Sequence, residues 1–120
     1  ETIEKTFKLS VKLNTLGWNT YAAMALPGSE LFKNALKNNV KLPSNYDGYS
    51  FHSYTTQPLP TENLSAAEIL NLRDKKFIEY HTNVNFLNKV EKKFGKDARN
   101  NIAEMTKIKL KRKIIEESNL

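Results

Sequence analysis

The chain has 120 residues, of which 39% are hydrophobic and 27% charged, enough for one modest core and too few for two ordinary domains. It contains no cysteine, so this chain excludes a disulfide, a thiolate zinc site and a cysteine-ligated iron–sulfur cluster. The formal net charge is +6, but setting aside the five cations of "KIKLKRK", residues 107–113, leaves about +1.

No apolar run reaches the length of a membrane span, and no signal-peptide pattern opens the chain. The expectation is a cytoplasmic protein with no membrane partner. The chain starts at Glu1 and enters helical periodicity at once, which reads as a piece of a longer polypeptide.

Residues 2–14 predict the first helix. Ile3, Phe7, Ser10, Val11 and Asn14 share one side, and Leu9, Leu13 and Leu16 widen the apolar stripe. Thr2 is the expected N-cap and Gly17 the break. "WNTYAAMAL", residues 18–26, is short, apolar and bounded by Gly17 and Pro27, which favours a buried strand. A single strand has an unpaired edge. It must pair with a second copy of the chain, be covered by helices, or abandon strand structure. Pro27-Gly28 then makes a turn. Ser29 caps a helix over residues 30–39 that turns Leu31, Phe32, Ala35 and Leu36 inward.

Residues 40–63 read as irregular. They hold three of the four prolines, and Tyr46, Tyr49, Phe51 and Tyr54 fall within nine positions. That is too aromatic for a disordered linker, so an ordered loop across a surface or pocket is expected. "SAAE" follows as a capping box: Ser65 caps and Glu68 reaches back. The helix runs to about Tyr80 and buries Ala66, Ile69, Leu70, Phe77 and Ile78. Thr82 or Asn83 opens the next, through Phe86, Leu87, Val90 and Phe94, with Gly95 as a left-handed C-terminal residue. A last helix is predicted over 97–117, with Ala98, Ile102, Met105, Ile108 and Ile115 on one stripe and Leu110 and Ile114 beside it. The fold class is thus mostly α: three C-terminal helices that form the core, plus one helix–strand–helix unit. The chain divides into residues 1–39, the loop 40–64 and the helical region 65–120, all in one compact unit.

Few residues suggest chemistry. "PGSE" lacks the repeated glycine and the Lys-Ser/Thr pair of a phosphate loop, so it reads as a turn with a cap. His81 sits near a helix end, where a cation suits the dipole. His52 lies in "YSFHSY" among hydroxyls, but no nearby acid completes a triad. Two histidines and no cysteine support no metal site. The basic segment 107–113 reads as a solvated helix face. It has no interleaved aromatics for stacking, so nucleic acid is disfavoured. An independent basic helical module that binds an acidic partner or nucleic acid is the alternative function.

Three stretches carry a resemblance. "ETIEKTFKLSVKLN", "WNTYAAMALPGSELF", and "GYSFHSYTTQPLPTENLSAAEILNLRD" through "EKKFG" and "EMTKIKLKRK" together resemble the C-terminal portion of radical S-adenosylmethionine enzymes. The group is the one with an N-terminal cobalamin-binding domain, described as Fe–S oxidoreductases and similar to the anaerobic magnesium-protoporphyrin IX monomethyl ester oxidative cyclase. The resemblance implies that residues 1–39 are the last helix–strand–helix piece of a β/α barrel, with Glu1 in a Gly-Glu-Thr turn. The rest would be a helical extension that closes the barrel and shapes the substrate pocket. It implies an S-adenosylmethionine contact through the backbone at Ala23, Met24 and Ala25, and a substrate side that includes His52, Ser53 and Tyr54. Relatives often carry Asp-Cys or Asp-Thr where Thr55-Thr56 stands here, so no acid or thiol role transfers to those positions. The 4Fe–4S cluster, held by a CxxxCxxC loop, and cobalamin would belong to the parent enzyme, with the remainder of that enzyme as partner in cis. No cofactor is assigned to this chain alone, and none of its residues is catalytic. A homodimer of the isolated piece is the other partner weighed.

Overall fold

The computed structural model describes residues 1–118 and 120. Among them are six α-helices: α1 (Thr2–Leu13), α2 (Glu30–Lys37), α3 (Ala66–His81), α4 (Val84–Phe94), α5 (Lys96–Lys107) and α6 (Lys113–Glu117). A 3-10 helix covers Tyr46–Tyr49. The described residues contain no strand. The mostly helical expectation holds. The predicted strand does not form, and of the three outcomes weighed for residues 18–26, strand structure is abandoned. The physical reason is that a strand needs a neighbour to complete its ladder. Here the segment has the Leu59 N–H on the Ala23 carbonyl at 2.8 Å and a local bond from Leu26 N–H to Met24 O.

The chain forms two compact units, each discontinuous in sequence. One is Glu1–Thr20 with Asp74–Lys109, the other Tyr21–Arg73 with Leu110–Leu120. Helix α3 contributes its first half to the second unit and its remainder to the first.

The first unit has an aromatic core. Phe7 of α1, Tyr80 of α3, and Phe86 and Val90 of α4 are buried, with Val11, Trp18, Leu87, Ala98 and Ile102 packed around them. Trp18 stacks on Tyr80 at 6.0 Å and meets Phe7 edge-on at 5.4 Å, and such pairs add about 0.5–1.5 kcal/mol each beyond area burial. The Tyr80 hydroxyl donates to Thr15 O at 2.9 Å, so the buried ring keeps its polar end satisfied. Lys76 bridges Glu79 at 2.9 Å and Glu4 at 3.2 Å. Its ammonium lies 4.4 Å from the Phe7 ring centre. The hydrogen bond to Glu79, opposed by partial burial and reinforced by Glu4, holds the Lys76 pKa above its ordinary value.

Helix boundaries follow side-chain chemistry. Thr2 is the first helical residue of α1 rather than its cap, and Asn14 ends the helix in the left-handed region at φ 47°. Asparagine tolerates that conformation, so the helix stops before Gly17. Ser65 and Glu68 form the expected capping box. The Ser65 N–H donates to Glu68 Oε2 at 2.8 Å and the Glu68 N–H to Ser65 Oγ at 3.3 Å. The hydrogen bonds from Ser65 hold the Glu68 carboxyl below its ordinary range. Asn83 caps α4 through the N–H groups of Asn85 and Phe86. Gly95 joins α4 to α5 at φ 89°, ψ 174°, a positive-φ conformation essentially reserved for glycine but not the left-handed helical one expected.

The last predicted helix is broken. Residues 108–112 leave the helical path, extended at Ile108 and Arg112, and only a five-residue α6 resumes after them. "KIKLK" alternates charge and apolar residue with a period of two, an extended-chain signal, and stacking its cations on one helix would cost repulsion. The stripe linking Ile102 to Ile115 therefore does not exist as one face, and Ile108 is exposed.

The second unit has a core of small residues. Ala22, Ala25, Ala35, Ala66, Ala67 and Leu70 are buried, together with Gly48, Thr56, Pro58, Arg73 and Arg112. Leu31 and Leu36 of α2, expected to face inward, are exposed. So are Leu9, Leu13 and Leu16 in the other unit, which follow one another at helical spacing along and just beyond α1.

Candidate functional site

Ala23, Met24, Ala25, His52, Ser53 and Tyr54 all lie in the second unit, whereas His81 lies in the first. The Pro27-Gly28 turn is a cap and not a cradle. Gly28 takes φ +88°, which supplies the positive dihedral the turn requires. Ser29 Oγ donates to Leu26 O at 2.7 Å and accepts the Phe32 N–H at 3.1 Å. The hydroxyl that could have met a phosphate is spent on starting α2. In the segment before it, Ala25 is buried at 2% exposure, Met24 is half-buried and Ala23 is exposed. The Ala23 carbonyl takes one hydrogen bond, from Leu59, and keeps a second lone pair.

The aromatic region carries a set of short-range backbone bonds. Asn45 Oδ1 accepts the Gly48 N–H at 3.3 Å and starts the 3-10 helix; the Gln57 N–H then bonds back to Gly48 O at 2.9 Å. Gly48 is required by packing, since a Cβ there would sit 3.0 Å from Pro43 Cγ and closer still to Pro43 Cβ. Phe51 is the hub. Its ring meets Tyr21 edge-on at 5.0 Å. The guanidinium of Arg73 lies 4.9 Å from its centre and that of Arg112 5.2 Å. Arg112, only 2% exposed, also donates from Nη1 to the Phe51 carbonyl. The sequence marks Phe51 only as one of the loop's aromatics and Arg112 only as part of the basic segment, and it does not mark Arg73. The available signal was that only three arginines occur among many lysines, and arginine is the cation suited to burial and to stacking on rings.

The three residues of "HSY" diverge. His52 is exposed, its ring edge-on to Phe51 at 5.3 Å. Ser53 Oγ accepts the Thr55 N–H at 3.0 Å and lies 3.0 Å from Thr55 Oγ1, so it stabilises its own turn. Tyr54 turns to the C-terminal segment, where its hydroxyl donates to Glu116 Oε2 at 2.7 Å and its carbonyl accepts the Lys113 N–H at 2.9 Å. The hydrogen bond to Glu116, with lesser help from burial and from Glu117, raises the Tyr54 pKa. The loop thus ties the sequence-predicted segments together through Tyr21–Phe51 and Ala23–Leu59. It does not converge His52, Ser53 and Tyr54 on one point.

His81 is structural. It is buried, its Nδ1–H donates to Phe77 O at 2.8 Å, and it packs against Phe77, Tyr80 and Phe86. The basic segment is also not a uniform cationic face. Arg112 is buried, Lys107 pairs with Glu104 at 2.5 Å and Lys113 with Glu117 at 3.7 Å. Lys109 and Lys111 are exposed. The described residues contain no group of three or more His, Cys, Asp or Glu able to hold a metal ion, and no helix is long and apolar enough to cross a membrane.

Two cavities flank α6, and Ile114 and Glu117 line both. One, about 380 Å³, is lined mainly by carbon from Val40, Pro60, Ala66 and Ala67. The other, about 280 Å³, has a polar wall that includes Lys41, Ser44, Gln57 and Lys113. Both open to solvent rather than being enclosed.

No family model matches the chain, and no curated protein or solved structure is significantly similar to it.

Proposed function

We propose that this chain is the C-terminal portion of a radical S-adenosylmethionine Fe–S oxidoreductase of the cobalamin-binding group. Residues 1–39 would supply the last helix–strand–helix unit of the barrel. The aromatic loop would cover its mouth, and the helical region would help shape the substrate pocket. The reading starts from the resemblance of the three stretches quoted above. The observation that carries it further is the distribution of exposed apolar surface. Leu9, Leu13 and Leu16 are 56%, 63% and 45% exposed, and Tyr21, Leu26 and Leu31, on and just after the non-helical segment, are 62%, 52% and 51% exposed. A run of exposed large side chains at helical spacing marks a surface meant for another body of protein. A strand-length segment with no strand partner points the same way.

The residues present do not fit an iron–sulfur cluster, because the chain has no cysteine, and no step of cluster chemistry is assigned to it. They do suit a backbone contact to S-adenosylmethionine. Ala23 is exposed, its carbonyl takes one internal hydrogen bond and its small side chain allows close approach, while Ala25 is buried. In the parent enzyme, reductive cleavage of S-adenosylmethionine would generate the radical that abstracts hydrogen from an organic substrate. Anaerobic reconstitution of the full encoded polypeptide with iron, sulfide and cobalamin, followed by reduction with S-adenosylmethionine, is expected to release 5′-deoxyadenosine. A polypeptide with no CxxxCxxC loop, or one that binds neither cofactor, would overturn the assignment.

A further inference from the structure

The smaller cavity beside α6 has a composition unlike the rest of the second unit's interior. Two cations, Lys41 and Lys113, line it against one acid, Glu117. Glu117 is 3.7 Å from Lys113, with both side chains more than half exposed; such a pair is weak and easily exchanged. The remaining polar groups of the wall add donors. Asn45 uses its Oδ1 on Gly48, so its amide hydrogens stay available, and Ser44, Thr55 and Gln57 contribute hydroxyl and amide groups. Leu42, Pro43 and Ile114 supply a carbon surface beside them.

A second observation is independent of the charges. Thr56 lines the same cavity and is 1% exposed. Its Oγ1 is the one buried side-chain oxygen among the described residues with no hydrogen-bond partner. Buried polar atoms are nearly always paired, and each exception calls for an explanation.

We infer that this cavity is a binding site for a small oxyanion-bearing molecule, a carboxylate or phosphate on a short carbon body. The oxyanion sits between the Lys41 and Lys113 ammonium groups, with the Gln57 amide and the Ser44 hydroxyl as further donors. The carbon body lies along Pro43, Leu42 and Ile114. The volume of about 280 Å³ is just under the roughly 300–1,000 Å³ of drug-sized pockets, which limits the occupant to a small metabolite. Because Lys113 and Glu117 belong to α6, the ligand also holds that short helix against the aromatic loop. Neither the cavity nor its donors depend on the cofactor reading given above.

The test is an amide NMR titration of the full chain with inorganic phosphate and, separately, succinate, at ionic strength held constant with sodium chloride. Saturable shifts are expected at residues 41–48, 55–57 and 113–117 with at least one probe, and the probe that saturates identifies the oxyanion type. Lys41→Gln and Lys113→Gln are each expected to weaken binding about tenfold, the loss of one charge-assisted hydrogen bond, while Lys41→Arg retains it. The inference fails if neither probe saturates. It also fails if shifts are shared equally with lysines that do not line the cavity, such as Lys33 and Lys37, or if both glutamine variants bind as tightly as the parent chain.

Discussion

Replacing Gly48 with alanine tests the packing that shapes the aromatic loop and the wall of the polar cavity. The new methyl would lie 3.0 Å from Pro43 Cγ and closer still to Pro43 Cβ. The obstacle is the base of a proline ring, which cannot rotate aside as a flexible chain end can. Either Pro43 or the 3-10 helix must shift, and overpacking of this kind costs about 1–3 kcal/mol. Alanine also restricts the unfolded chain, which returns about 0.4–1 kcal/mol. The net loss is about 1–2 kcal/mol. With a urea dependence of roughly 1–3 kcal/mol per molar for a chain this size, the unfolding midpoint falls by about 1 M. Gly17→Ala is the matched control, because a Cβ there meets nothing within 4 Å and no positive dihedral is involved. Far-UV circular dichroism follows both variants, and the single tryptophan, Trp18, reports separately on the first unit. A Gly48→Ala midpoint equal to that of Gly17→Ala would refute the packing argument.

Two further predictions concern the C-terminal segment. Arg112→Met removes a buried donor and leaves the Phe51 carbonyl without it, so a loss of about 1–3 kcal/mol is expected. Lys109→Gln and Lys111→Gln, both at exposed positions, are expected to stay within about 0.5 kcal/mol; chemical denaturation of the three variants distinguishes a structural arginine from a uniform basic face. The Tyr54 pKa is raised from its ordinary 10.0 chiefly by the hydrogen bond to Glu116. A raised folded-state value means that the stabilisation from this bond is fully present below about pH 10 and is lost as the pH climbs through the folded value. Alkaline titration of tyrosinate absorbance is expected to show one late component, absent in Tyr54→Phe and moved back toward the ordinary range in Glu116→Gln. A late component that keeps its midpoint in Glu116→Gln would contradict the link.

Much of the helical layout was legible from short-range chemistry. The Ser65–Glu68 capping box, Asn83 before α4, Ser29 before α2 and the glycine at the α4–α5 junction are local signals, satisfied by atoms a few residues away. The periodic burial of Phe7, Phe86 and Val90 is local in the same sense. The conformations of residues 18–26 and 108–112 were not legible in this way. An apolar run becomes a strand only beside a partner strand, and nothing inside "WNTYAAMAL" states whether one is present. The cationic run reads as helical because Ile108 and Ile115 extend the apolar stripe of Ala98, Ile102 and Met105, and that spacing hides the two-residue alternation in "KIKLK".

The sequence by itself determined the absence of any cysteine-based site, the mostly helical class, and the position of most helix starts. Those follow from composition and from interactions spanning one turn. Only the tertiary structure decided that Arg112 is buried against Phe51, that Tyr54 latches to Glu116 across 62 positions of chain, and that Lys41 and Lys113 line one cavity. Each of those joins groups far apart in sequence, so no spacing rule records them. They exist because the second unit, poor in large apolar side chains, gathers two arginines around a single aromatic hub.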